Sequence, residues 1–194
     1  MNYTKIIFPL FIVVALVQLF VPAKMIFHRE DVLANGKIYK FKTAPIDPSD
    51  PFRGKYITLQ FAERSITVDS SEQWERGETI FVHLQEDPDG FVKIQDVSKE
   101  RPTQKEAYVK AKVRYVRKYV TQTIRIEYPF ERYYMEESKA YDAETLARRR
   151  VRDTTKVVYA QVRILDGAAV LEDVIVNGQR IEDLVKEHQE IKAE

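Results

Sequence analysis

Three carboxylates in two separate stretches are the side chains that could do chemistry in this chain. Asp47 and Asp50 lie in a proline-rich loop, and Glu136 lies in a later segment rich in tyrosine. Paired carboxylates can act as general acid and base, or bind a hard cation. The three acids lack the spacing of a known ligand set, so the sequence predicts no catalytic residue and no metal site. An envelope hydrolase that uses these acids is the alternative.

An arginine and a glycine follow the two aspartates of the loop. Asp47 and Asp50 each precede a proline, which favours extended backbone, and either carboxylate can cap turn N–H groups or pair with Arg53. Gly54 allows close approach or a positive φ where the next strand begins. Two interpretations stay open: an ordered loop braced by Asp–Arg pairs, or a rim site that binds a partner or small ligand.

A second segment, residues 131–137, also mixes charged side chains with aromatic rings. Arginine beside aromatic residues is typical of interface hot spots. We therefore predict that the loop 47–53 and the segment 131–137 pack together and form one binding surface. The candidate binding residues are Asp47, Asp50, Arg53, Gly54, Tyr56, Arg132, Tyr133 and Glu136.

Composition excludes several classes of function. The 194 residues include 31 basic and 30 acidic side chains, so the net charge of +1 predicts no nucleic acid partner. The absence of cysteine excludes disulfides and thiol catalysis, and the three histidines lack metal-ligand spacing. No cofactor is predicted.

An uncharged apolar run covers residues 6–23, between Lys5 and Lys24. As a helix it spans about 27 Å, close to the thickness of the hydrocarbon core, so the predicted partner of this run is the lipid bilayer. We predict a retained anchor over residues 1–27. Because a short tail before a first apolar segment is typical of a signal-anchor, we expect the remaining domain outside the cytoplasm.

A cleaved signal peptide is the alternative interpretation of the same run. Val21-Pro22-Ala23 fits the pattern of small residues at a cleavage site. Cleavage there would make the protein a secreted binder of a small ligand.

Residues 28–194 mostly alternate polar and apolar side chains over short runs, which predicts half-buried strands. The predicted strands are 37–43, 55–61, 65–68, 78–86, 91–97, 108–116, 120–128, 156–165 and 169–176. Helix formers dominate 138–152 and 180–194, and Asn35-Gly36 predicts a left-handed stop to the first helix. The predicted fold is mainly β: a single antiparallel barrel or sandwich domain with one inserted and one C-terminal helix, behind an N-terminal transmembrane helix.

The stretch 54–61, GKYITLQF, resembles the motif of a bacterial membrane-anchored family called GDYXXLXY. Gly54, Tyr56 and Leu59 match the motif, whereas Lys55 replaces its aspartate and Phe61 its final tyrosine. Residues 43–53, which precede the motif, and the segment 131–137 are also similar to segments of that family.

The resemblance implies a membrane-anchored domain of unknown biochemical activity, with a neighbouring multi-pass membrane protein as its partner. Lys55 argues against any role in which the motif's carboxylate is a catalytic acid or a metal ligand. The expected function is that of a non-enzymatic accessory or binding module for a membrane complex.

Overall fold

The structure is a computed structural model that describes residues 4–43, 56–69, 71–103, 106–118, 121–134 and 157–193. Several of the candidate binding residues lie outside these ranges, namely Asp47, Asp50, Arg53, Gly54 and Glu136. The predicted helix at 138–152 also lies outside them. Tyr56 belongs to a described strand, but its side chain is outside the description.

Two helices and eleven strands form within the described ranges, which confirms the mainly β prediction. The helices are α1 (Thr4–Asn35) and α2 (Ile181–Ala193). The strands are β1 (Lys37–Lys42), β2 (Tyr56–Thr58), β3 (Ser65–Val68), β4 (Thr79–Glu86), β5 (Val92–Ser98), β6 (Tyr108–Lys118), β7 (Gln122–Glu127), β8 (Arg132–Tyr134), β9 (Val158–Leu165), β10 (Ala168–Val176) and β11 (Gln179–Arg180).

Three antiparallel sheets surround one hydrophobic core. Their strand orders are β1-β9-β10-β11, β3-β7-β6-β4-β5 and β2-β8. Two parallel backbone bridges, Lys40 with Phe91 and Val109 with Gly167, connect the two larger sheets. Because their inward side chains belong to a single buried cluster, the sheets curve into a nearly closed, barrel-like domain.

Four aromatic rings pack together where the sheets meet. Phe41 of β1 lies edge-on to Phe61 and Phe130, with ring centroids 5.6 and 5.1 Å away. Tyr128 stacks on Phe130 at 5.1 Å, and its hydroxyl donates a hydrogen bond of 2.9 Å to the Glu63 carbonyl. Phe61 is 1 % exposed, so phenylalanine at this motif position leaves no hydroxyl unsatisfied.

The predicted strand at 55–61 ends earlier in the structure than the alternation predicts. Within its described part, residues 56–61, the strand β2 ends at Thr58, after which the Leu59 amide donates to the Glu131 carbonyl at 2.8 Å and Phe61 bridges Thr43. Leu59 and Phe61 are buried, as the alternation predicts. The chain therefore changes backbone partners within the motif while it keeps the same inward face.

The predicted left-handed stop at Asn35-Gly36 is wrong, because neither residue has a positive φ. The Gly36 amide instead continues the helical pattern, donating to the Val32 carbonyl at 2.9 Å. A side chain at Gly36 would crowd that carbonyl and would lie 3.2 Å from the Cβ of Arg163. Glycine is needed here because β9 passes close to the end of α1.

An Asp-Gly pair at 166–167 and an Asn-Gly pair at 177–178 predict tight two-residue turns, and the structure has a turn at both places. Asp166-Gly167 joins β9 to β10, and Asn177-Gly178 joins β10 to β11. All four residues have positive φ, between 48° and 84°, which matches the two-residue turns preferred by antiparallel hairpins.

These two turns provide a matched pair of substitutions. Gly167→Ala and Gly178→Ala both place alanine at nearly the same positive φ, which costs about 1–2 kcal/mol. Only at Gly167 would the new methyl group overlap the ring of Tyr108, while space is open at Gly178. We expect Gly167→Ala to lower the free energy of unfolding by about 1 kcal/mol more than Gly178→Ala, measured by urea denaturation. Equal losses would show that the Tyr108 contact adds nothing.

Candidate binding site at the paired motif strands

Part of the motif stretch 54–61 and part of the segment 131–137 meet as neighbouring strands. In the β2–β8 pair, Tyr56 lies opposite Tyr134, Ile57 opposite Tyr133, and Thr58 opposite Arg132. The backbones that carry three candidate binding residues are therefore adjacent. Contacts of the loop 47–53 lie outside the described residues, so the predicted surface stays a prediction.

Tyr133 is a buried side chain with a polar tip between two acids. Its ring is 6 % exposed and belongs to the hydrophobic core. Its hydroxyl oxygen lies 3.2 Å from Asp173 Oδ1 and 3.3 Å from Glu182 Oε1. Burial, followed by the charges of these carboxylates, raises the pKa of Tyr133. The hydroxyl therefore stays protonated and donates to the acids, linking β8 to β10 and α2.

Asp173 is the most buried charged side chain in the described part of the chain. It is 3 % exposed, accepts a 2.8 Å hydrogen bond from the Val174 amide, and pairs with the Arg180 guanidinium. The Arg180 side chain is 55 % exposed, so the partner of this buried charge lies at the surface. The charge is compensated, which is the condition under which a buried carboxylate is tolerated.

The sequence predicts 169–176 only as the second strand of a hairpin and does not single out Asp173. The register against β9 shifts between Leu171 and Asp173, which marks a β-bulge. Two consecutive acids, Glu172-Asp173, inside an otherwise apolar strand were the available signal. The bulge leaves Asp173 opposite Gln161, on the other side of the sheet from the buried Ala160 and Val162, and Glu172 pairs with Arg163 at 2.9 Å.

A cleft of about 230 Å³ lies beside the paired strands. Residues 58–61 form one wall, Glu131 lies next to them, and β6 and β7 contribute the other walls. Its remaining charged lining residues are Arg64, Arg114 and Arg125. We call this space the inter-motif cleft because both motif segments line it.

Glu131 is held firmly at the edge of the inter-motif cleft. Its carboxylate accepts a 3.2 Å hydrogen bond from the Tyr128 amide and pairs with Arg114, which also lies 3.8 Å from Glu127. Partial burial raises the pKa of Glu131 above its ordinary value, although Arg114 opposes this rise. The negative charge of Glu131 is therefore already matched by a neighbouring cation.

Within the described ranges, no group of three or more His, Cys, Asp and Glu side chains converges to hold a metal ion. The acids of the hydrolase hypothesis, Asp47, Asp50 and Glu136, lie outside those ranges, so that hypothesis is untested. Arg132 is exposed on β8, next to buried Tyr133. The described residues thus form two polar features. One is the hydrogen-bonded group of Tyr133, Asp173 and Glu182, which we call the polar brace, and the other is the inter-motif cleft with its arginines.

Removal of the Tyr133 hydroxyl tests the brace. Tyr133→Phe keeps the buried ring but leaves Asp173 one donor short, so we expect a loss of about 1–2 kcal/mol in the free energy of unfolding. Tyr115→Phe is the matched control, since Tyr115 is 43 % exposed and its loss should stay within about 0.5 kcal/mol. Chemical denaturation of both variants gives the comparison. Equal stabilities would contradict a structural role for the hydroxyl.

Comparison with known protein families gives one match. The model of a family described as GDYXXLXY protein matches residues 18–174, from within α1 to within β10. The match includes Tyr133 and Asp173, whereas Arg180 and Glu182 lie beyond its end. No curated protein and no solved structure matches the chain.

Proposed function

Because the chain belongs to the GDYXXLXY family, we propose that it is a single-pass membrane protein whose β domain, outside the cytoplasm, serves as a non-enzymatic accessory or binding module for a membrane complex. The family description consists of the motif and names no activity. Support for the proposal therefore comes from the described residues, above all from α1.

The observation that carries the proposal is the continuity of α1. Its 32 residues form one helix, about 48 Å long. By length and composition, it is the one helix in the described ranges that can cross a membrane, and none of its apolar window is buried inside the protein. At its other end, Val32 is fully buried in the domain. The apolar part of α1 is not covered by protein, and its C-terminal end is packed into the domain. Such a helix is suited to anchor the domain in a membrane.

The docked end of α1 keeps the domain close to the membrane surface. About twelve residues separate the apolar run from Asn35, which corresponds to about 18 Å of helix. Arg163 strengthens the junction by donating a 3.3 Å hydrogen bond to the Gly36 carbonyl. Pro22 lies inside α1 at the end of the apolar run, where the missing hydrogen bond allows a bend. The domain can thus tilt but stays within reach of a partner in the same membrane.

A multi-pass membrane protein is the proposed partner, and the motif strands are the proposed contact. Tyr134 on β8 is 63 % exposed, and Tyr115 beside the inter-motif cleft is 43 % exposed. Exposed tyrosines next to arginines are enriched where protein interfaces bind most strongly.

Fractionation of cells that produce the full-length protein tests the anchor and its orientation. We expect the protein to stay with membranes after alkaline carbonate extraction, and protease added to spheroplasts to degrade the domain. A soluble product that begins after Ala23 would contradict the anchor and favour the secreted binder. Protection of the domain together with a cytoplasmic control protein would contradict the orientation.

Photo-crosslinking in intact cells tests the partner. A crosslinkable residue at Tyr134 should give an adduct with an integral membrane protein, because the motif strands form the proposed contact. The same residue at Asp89, exposed in the turn between β4 and β5, is the control and should not give this adduct. Equal adducts from both positions, or adducts with soluble proteins alone, would contradict the proposal.

A further inference from the structure

The inter-motif cleft carries an excess of positive charge. Three guanidinium groups, those of Arg64, Arg114 and Arg125, line it together with one carboxylate, that of Glu131. The formal charge of this lining is therefore three minus one, or +2. This local excess contrasts with the net charge of +1 on the whole chain.

The excess positive charge of the cleft belongs mainly to Arg64 and Arg125. Arg114 pairs with Glu131, whereas Arg64 donates to the side-chain oxygen of Gln60. Arg125 donates a 3.2 Å hydrogen bond to the Ser65 hydroxyl. Within the described part of the chain, the hydrogen-bond partners of Arg64 and Arg125 are thus neutral groups.

The positive charges of Arg64 and Arg125 repel each other in a partly buried position. Burial lowers the pKa of Arg125, and the charge of Arg64 lowers it further. Gathering like charges away from water costs stability unless an opposite charge joins them. A bound anion would supply that charge.

The shape of the cleft suits one anionic group. Its volume of about 230 Å³ is below the range of about 300–1,000 Å³ usual for pockets that enclose whole drug-sized ligands. Planar guanidinium groups present paired N–H donors that match the oxygens of carboxylates and phosphates. The ring of Tyr115 adds an apolar wall.

We propose that the inter-motif cleft is a binding site for an oxyanion, a carboxylate or a phosphate group, held between Arg64 and Arg125. Arg114 neutralises Glu131, so this carboxylate does not repel the ligand strongly. Residues 58–61 and Glu131 also line the site, so the bound group lies beside both motif segments. This binding site does not depend on the proposed membrane function, because the anion can be a free ion or a group on another molecule.

Titration of the full-length protein in detergent tests the site. The probes are inorganic phosphate and acetate, each compared with chloride at the same ionic strength and followed by calorimetry. We expect saturable binding of at least one probe above the chloride background. Arg125→Gln and Arg64→Gln should each weaken it about tenfold, because each removes charged hydrogen bonds. Arg117→Gln, an exposed arginine of β6 outside the cleft, should leave it unchanged.

The outcomes separate the possibilities. Preference for phosphate indicates a phosphate ester or free phosphate as the ligand, and preference for acetate indicates a carboxylate. If a glutamine variant does not fold, Arg125→Lys replaces it; this variant keeps the charge but loses the paired donors, and should also bind more weakly. Absence of saturable binding in the wild type, or equal weakening by Arg117→Gln, overturns the site. Neither result affects the membrane anchor, which is tested by fractionation.

Discussion

Packing of four aromatic rings, Phe41, Phe61, Tyr128 and Phe130, is the interaction on which the rest of this structure depends. Each ring contacts others edge-on or stacked, with centroids 5.1 to 5.7 Å apart. Such geometry adds favourable energy to the burial of apolar area. Phe61 follows β2 and Phe130 precedes β8, so this one cluster sets where both motif strands enter the domain. The pairing of β2 with β8 and the walls of the inter-motif cleft follow from it.

The charged groups around these rings differ in whether a group of opposite charge lies beside them. Asp173 and Glu131 are buried or half-buried acids, and each has a cation beside it, Arg180 and Arg114 respectively. Arg64 and Arg125 are treated differently, because their hydrogen-bond partners in the described chain are neutral. A fold usually pairs charges that serve stability alone, so two arginines that share a cleft and have neutral hydrogen-bond partners are where binding is to be sought.

The C-terminal end of α1 is packed into the β domain. Buried Val32 and the crowded Gly36 make the end of α1 part of the domain's packing, so the helix does more than tether it. At this junction Gly36 packs against β9. This arrangement agrees with a module that meets its partner at the membrane surface, which is the role we propose.

The sequence by itself determined those features that depend on near neighbours along the chain. Alternation with a period of two predicted the strands and the buried sides of Leu59 and Phe61, and the Asp-Gly and Asn-Gly pairs predicted two tight turns. The tertiary structure alone decided which strands pair, why Gly36 is glycine, and that the β-bulge places Asp173 opposite Gln161, where Tyr133 and Arg180 reach it. It also brought Arg64, which precedes β3, next to Arg125 of β7. These features depend on contacts between residues far apart in the chain, and local periodicity carries no information about such contacts.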